Sequence, residues 1–344
     1  MKKFGFMVFM LDVTLNLFFT GPVSAEEKLR LTGSGASFPF PLYSAWFKNF
    51  SRDHKNANID YQAKGSGAGV LDFINRTVDF AASDAAMKPE EIAKVQGGVV
   101  LLPMTAGKIV LAYNIPGNPK ELKLPRDVYP DIFLGKITKW NDPRIQAANP
   151  GVKLPDLPIT VVRRADSSGT TYVFTNHLSA ISPEWKAGPG SGTTVNWPSS
   201  DKIVAAPKND GVTATVKQTP GAIGYIEYAY ALGAKVEMAH LQNKEGKFVR
   251  PSSESGEAAL ATAQLPENLI AWVLDPAGEK SYPITTFTWM LFYHHNASPE
   301  KAKILREVVE YGITEGQKMS AKMGYIPLPA NVVSAVRANV DKIK

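Results

Sequence analysis

An arginine, an aspartate, two serines and two threonines fall within Arg164-Ala165-Asp166-Ser167-Ser168-Gly169-Thr170-Thr171. The apolar run Leu157-Pro158-Ile159-Thr160-Val161-Val162 precedes them and Tyr172-Val173-Phe174 follows, which predicts strand, polar loop, helix. A helix start presents unpaired N–H groups and a partial positive charge, so it seats anions. Ser168 and Thr170 add hydroxyl donors, and Arg164 adds a planar fork of N–H groups suited to an oxyanion. Two related turns stand upstream, Gly33-Ser34-Gly35-Ala36-Ser37-Phe38 and Lys64-Gly65-Ser66-Gly67-Ala68-Gly69. One such loop carries little information. Three, each between a predicted strand and a predicted helix, point to one small anion held by several helix starts.

The elements that must position these loops read as β then α, repeated. Strands are predicted over Lys28–Thr32, Asn58–Gln62, Val78–Ala82 and Gly98–Pro103, and helices over Leu42–Phe50, around Val70–Ile74 and over Glu90–Val95. Lys108–Asn114 and Ile284–Tyr293 read as two strands crossing between lobes, and Pro299–Gly316 as an amphipathic helix. The expected fold class is therefore α/β with two lobes, each a mixed, mostly parallel sheet flanked by helices. Residues 26–110 and 286–344 form a discontinuous first lobe and 111–285 the second. Two sequential domains are the alternative. The segment Gly188–Ser200 receives no role.

Composition narrows the class. The 344 residues suffice for two lobes with their own cores, and 44% hydrophobic with 20% charged residues is ordinary for a globular protein. The formal charge of +6 is dispersed rather than clustered, which argues against nucleic-acid binding. No cysteine is present, so disulfides, zinc–thiolate sites and a thiol nucleophile are excluded. Met1-Lys2-Lys3, the apolar stretch Phe4–Phe19 and the small residues at Val23-Ser24-Ala25 have the layout of an export signal cleaved after Ala25. No Gly-x-x-x-x-Gly-Lys-Ser/Thr loop and no Gly-x-Ser-x-Gly elbow occurs, which leaves nucleotide hydrolysis and an α/β-hydrolase without support. His294 and His295 are expected to point to opposite faces of a strand end and so not to share a metal; no metal or cofactor is predicted.

In open α/β sheets ligands bind beyond the carboxyl ends of the strands, where Ser37, Ser66, Asp84 and Arg164 are all predicted to lie. Each also has an ordinary use: Ser37 as a helix cap, Ser66 in a tight turn, Asp84 capping the next segment, Arg164 paired with Asp166 at the surface. Four at equivalent positions favour a shared site. Its chemistry is mostly donors, with one acceptor. An ionised Asp84 only accepts hydrogen bonds, and against a bare oxyanion it would weaken binding about a thousandfold or more. A ligand that still carries a proton converts that repulsion into a charge-assisted hydrogen bond. Phosphate at neutral pH carries one and sulfate does not, so the set favours phosphate.

These residues resemble the phosphate-specific periplasmic substrate-binding proteins of Pst-type ABC transporters over nearly the whole region after the export signal. The resemblance rests on Gly35–Pro39, Val78–Asp84, Gly135–Asp142, Arg163–Thr170 and Thr219–Tyr225. It implies a type II-like periplasmic binding protein whose first loop supplies Ser37 and the N–H of Phe38. Ser66 and the proton-accepting Asp84 follow from the first lobe. Arg164, Ser168 and the N–H groups of Gly169 and Thr170 come from the second, with Asp166 orienting the arginine. It further implies a periplasmic monomer that closes over inorganic phosphate and delivers it to membrane permease subunits. Ser37 stands where threonine is common in the family, and Ser167 where glycine is common. The alternatives are a secreted phosphate-ester hydrolase and a receptor for another tetrahedral oxyanion.

Overall fold

The computed structural model describes residues 1–2 and 28–344. From residue 3 onward the expected export signal lies outside the described residues. Eight strands define the architecture: β1 (Leu29–Gly35), β2 (Ala57–Ala63), β3 (Phe80–Ser83), β4 (Val99–Tyr113), β5 (Thr160–Arg164), β6 (Ile203–Ala206), β7 (Ala222–Glu227) and β8 (Thr285–Tyr293). They form one continuous curled sheet in the order β2-β1-β3-β8-β4-β7-β5-β6, and the short strand Glu237–Met238 also pairs with β4. The outer pairs are parallel, as β–α alternation requires, whereas β8 and β4 run antiparallel to their neighbours. The sheet is thus mixed, with helices packed on it, and its two halves are the two lobes.

The halves meet along β4. Its residues Val99–Lys108 pair with β8, and Ile109–Tyr113 pair with β7. The chain returns beside the same point, where Ile109 N donates to Ile284 O at 2.9 Å just before β8 begins. Gly98–Pro103 and Lys108–Asn114, predicted as separate strands, are therefore one strand of 15 residues. Pro103 suggests a break because it lacks a ladder donor. The strand absorbs it with a register shift opposite Thr288 and Trp289, which pair with Thr105 and Pro103 and leave Met104 as the extra residue.

Helix α1 (Phe40–Asp53) carries Pro41 in its first turn and buries Leu42, Tyr43, Trp46, Phe47 and Phe50, positions three, four and eight apart on one face. The first Gly-rich stretch differs from its expected form. β1 continues through Gly35 because β2 and β3 pair with it on both sides, so the turn shrinks to Ala36–Pro39. The C-terminal helix, predicted to Gly316, ends at Ile313, and a new one begins at Glu315. Thr314 Oγ1 donates to Glu310 O at 2.6 Å, a local bond that accompanies the break. Among the described residues no helix is long and apolar enough to cross a membrane. β8 ends at Tyr293, so His294 and His295 lie past it and their rings sit 4.8 Å apart. The opposite-face expectation fails because the alternation that underlies it stops at the strand end.

Candidate anion-binding site

Four strand-to-helix junctions converge at the seam. The first follows β1, where Ala36 N donates to Ala82 O at 2.8 Å and holds the turn against β3. This turn buries Ser37 and Phe38. Tyr230 Oη and Tyr325 Oη donate to the carbonyls of Ser37 and Phe38 at 2.6 and 2.8 Å, so these peptide planes are fixed from both sides. The second junction opens α2 (Ser66–Ile74), and the third follows β3 at Asp84, the residue after its last, Ser83. The last of the four predicted strand-end residues, Arg164, ends β5 and leads into α3 (Gly169–Ile181), capped by Ser168, whose Oγ accepts from Thr171 N at 3.0 Å. Because that cap serves the third turn position, the N–H groups of Gly169 and Thr170 have no acceptor among the described residues, nor has that of Phe38.

Ser66, Asp84 and the α3 start touch, while Ser37 is tied to this cluster through Asn209. Ser66 Oγ lies 3.3 Å from Asp84 N and 3.5 Å from Asp84 Oδ2. A Cβ built on Gly169 would sit 2.5 Å from Ser66 Oγ and 2.7 Å from the Asp84 side chain. Only glycine lets the α3 N-terminus approach so closely. Gly67 N also donates to Ser167 O at 3.1 Å, so the two halves are in contact. Beside this seam a groove of about 560 Å³ remains open, with Leu71, Lys88 and Lys94 on one side and Tyr172 and Thr193 on the other.

Arg164 is 3% exposed. Its Nε donates to Asp166 Oδ1 at 2.8 Å and its Nη2 to Asp166 Oδ2, while Nη1 donates to Thr170 Oγ1 at 3.1 Å. The carboxylate therefore grips one edge of the guanidinium and fixes its plane, leaving the other edge at the start of α3. Burial pushes the Asp166 carboxyl up, but the bonds and charge of Arg164 outweigh it and leave it below its ordinary value. The alternative of a surface pairing gives way to a pair in which Arg164 is buried and Asp166 partly so.

Asp84 is enclosed. Thr288 Oγ1 from the centre of β8 donates to its Oδ1 at 2.8 Å. Burial raises its pKa to about 7, against the downward pull of Thr288, Arg164 and Ser66. The unfolded carboxyl titrates near 3.9, so between about pH 4 and 7 the native form holds an extra proton. Its contribution to stability is then greatest at the acid end of that window and declines as pH rises toward 7. We expect urea midpoints of the phosphate-free protein to fall over this range by more than those of Asp84→Asn. Parallel curves would show that Asp84 is solvated in the native state.

Sequence reading missed several supports. Tyr225 Oη accepts from Arg164 N at 3.0 Å and bonds Thr171 Oγ1 at 2.8 Å. Thr193, in the segment given no role, accepts Ser168 N at 2.9 Å and Ser167 Oγ at 3.0 Å. Asn209, at the start of α4 (Lys208–Gln218), bonds both Ser37 and Thr170. Thr288 is one of three threonines in a fully buried strand, and nothing local sets it apart from Thr285 and Thr286. Asn209 follows a strand as the other loops do, but Pro207-Lys208-Asn209 lacks their Ser/Gly signature.

A curled sheet in two halves, with helix starts and buried donors meeting at the seam, defines a two-lobed α/β binding protein. Residues 22–315 match the model of the PBP superfamily domain. The phosphate-binding protein PstS of Pasteurella multocida is 40% identical, the match covering 90% of this chain and 89% of that one. PstS of Haemophilus influenzae is also 40% identical, covering 92% and 94%. The chain belongs to the PBP superfamily and, within it, to the family of the PstS phosphate-binding proteins. The fold agrees with that of a periplasmic phosphate-binding protein solved with bound phosphate, with a TM-score of 0.76 at 21% identity over 90% of this chain and 94% of that one. A phosphate-binding protein from Stenotrophomonas maltophilia gives a TM-score of 0.72 at 23% identity, covering 90% and 93%.

Proposed function

We propose that this chain is an extracytoplasmic receptor that binds inorganic phosphate between two closing lobes and delivers it to the permease of an ABC importer. The lobes are residues 26–110 with 286–344, and 111–285. The observation that carries the reading is Asp84, one acceptor buried among donors and pressed against the α3 N-terminus. In this reading Ser37, Ser66, Ser168 and Thr170 donate hydroxyl hydrogens, and Phe38, Gly169 and Thr170 donate main-chain N–H groups. Arg164 supplies the positive fork under the hold of Asp166, and Asp84 accepts the ligand's own proton. Closure removes water, which strengthens each of these bonds.

The chain acts in this account as a monomeric receptor in the periplasm, released from an export signal over residues 1–25, and not as an enzyme. Membership of the PstS family and the names of the relatives as binding proteins support it. Titration calorimetry of the purified protein with phosphate and with sulfate tests the reading. Phosphate is expected to bind at least about a thousandfold more tightly, the scale of one buried like-charge contact. Comparable affinities would remove the role given to Asp84 and favour a general oxyanion receptor. A chromogenic phosphate ester is expected to remain intact, and steady turnover by the pure protein would instead identify a hydrolase.

A further inference from the structure

We infer that Asn209 is a positioning residue that turns two hydroxyl hydrogens, one from each lobe, toward the ligand and latches the closed cleft. The inference rests on the phosphate-receptor reading and adds to it a residue outside the ligand-contacting set. Asn209 is fully buried at the second position of α4. It follows Lys208, whose φ of 58° lies in the left-handed region that a lysine rarely adopts. That bend lets Lys208 N donate to Asp166 Oδ1 at 2.9 Å and brings Asn209 to the seam.

The orientation of the Asn209 amide follows from its partners. Its Oδ1 faces Glu227 N at 2.9 Å, and a main-chain N–H can only donate, so the other end is the NH₂ group. Nδ2 donates to Ser37 Oγ at 3.0 Å and reaches Thr170 Oγ1 at 3.2 Å, and Asn209 N also donates to Ser37 Oγ at 3.2 Å. A hydroxyl has two lone pairs and one hydrogen. Both lone pairs of Ser37 Oγ are therefore filled by Asn209. Those of Thr170 Oγ1 are filled by Asn209 Nδ2 and by Arg164 Nη1 at 3.1 Å. Each hydroxyl is left able only to donate, away from Asn209.

A freely rotating hydroxyl could present a lone pair to an oxyanion and repel it. With Asn209 in place, the Thr170 hydroxyl is oriented within the second lobe before any ligand arrives, as preorganisation requires, and the Ser37 hydroxyl is oriented as the lobes meet. The bonds to Ser37 join α4 of the second lobe to the β1–α1 turn of the first, so they exist only when the lobes are together. Their loss acts on release more than on capture.

The test compares wild type, Asn209→Ala, Asn209→Asp, Ser37→Ala and the Asn209→Ala/Ser37→Ala double variant by stopped-flow and equilibrium titration with inorganic phosphate. Asn209→Asp keeps an acceptor for Glu227 N and exchanges the donor NH₂ for oxygen, so it carries the test if Asn209→Ala does not fold. Asn209→Ala is expected to release phosphate about tenfold faster with association within about twofold, the scale of one or two buried hydrogen bonds. Asn209→Asp is expected to be weaker still, because its carboxylate draws both hydroxyl hydrogens away from the ligand. In the Ser37→Ala background the effect of Asn209→Ala is expected to shrink to about threefold or less, since the two act through one bond. Unchanged release in both Asn209 variants, or full additivity with Ser37→Ala, overturns the inference while wild-type binding leaves the receptor reading intact. A wild type with no saturable response to phosphate overturns both.

Discussion

Arg164→Ala is expected to weaken phosphate binding by about a hundred- to a thousandfold or more while leaving the fold intact. Removing one member of a buried, hydrogen-bonded charge pair costs about 2–5 kcal/mol or more, and each 1.4 kcal/mol is tenfold in affinity. Here the loss is double. The ligand loses its fixed positive charge, and Asp166, now without its partner, turns a negative charge toward the cleft. The lone carboxylate also remains bonded to Lys208 N, which keeps it near the seam. Arg164→Lys restores the charge but not the planar fork that Asp166 grips, so it is expected to recover only part of the affinity. Calorimetry with phosphate, with circular dichroism to establish folding, checks both variants. An Arg164→Ala protein that binds phosphate as wild type does would place the ligand elsewhere.

Asp84→Asn is expected to raise sulfate affinity by about a thousandfold, with a smaller loss for phosphate. The wild-type carboxylate faces a fully ionised sulfate with a lone pair against a lone pair, and the enclosure that raises the Asp84 pKa to about 7 also keeps bulk solvent from screening the contact. An asparagine of the same shape offers an NH₂ group instead, so the repulsion becomes a hydrogen bond. Thr288 Oγ1 retains an oxygen partner if the amide turns its carbonyl toward it, which keeps the site assembled. Competition between sulfate and phosphate in calorimetry reads the ratio directly. Acid should imitate the substitution in part: below pH 7 wild-type Asp84 gains its proton and becomes a donor, so wild-type discrimination should narrow there and that of Asp84→Asn should not change. Sulfate binding that stays absent in the variant would assign selectivity to some other group.

Much of this was legible in the sequence because anion chemistry uses few residue types. Hydroxyls and glycines at strand ends, a following helical pattern and an arginine two positions from an aspartate placed Ser37, Ser66, Asp84 and Arg164 at or beyond strand ends, where the structure has them, and the family resemblance implied the N–H donors. What stayed hidden was supplied by tertiary packing. Thr288 and Tyr225 sit within strands whose patterns signal burial alone, and Asn209 reaches Ser37 across 172 positions of chain. Thr193 stands in an irregular segment with no periodicity to read. The long β4 was hidden for a different reason: Pro103 interrupts the local signal, and only its pairing with β8, where a bulge absorbs it, keeps the strand whole. Local pattern records what a residue prefers, whereas bulges and cross-lobe bonds record what its distant neighbours permit.

The position of β8 has a consequence for how the molecule comes to exist. This strand, Thr285–Tyr293, lies between β3 and β4, in the middle of the sheet, although it is the last strand in chain order among the described residues. A polypeptide emerging from its N-terminus therefore carries β3 and β4 through the 171 residues between Tyr113 and Thr285 before the strand that separates them arrives. Contacts of such long sequence separation form slowly, because loop closure precedes any gain from pairing. The first lobe is thus incapable of early completion, and the chain stays threadable until almost all of it has been made.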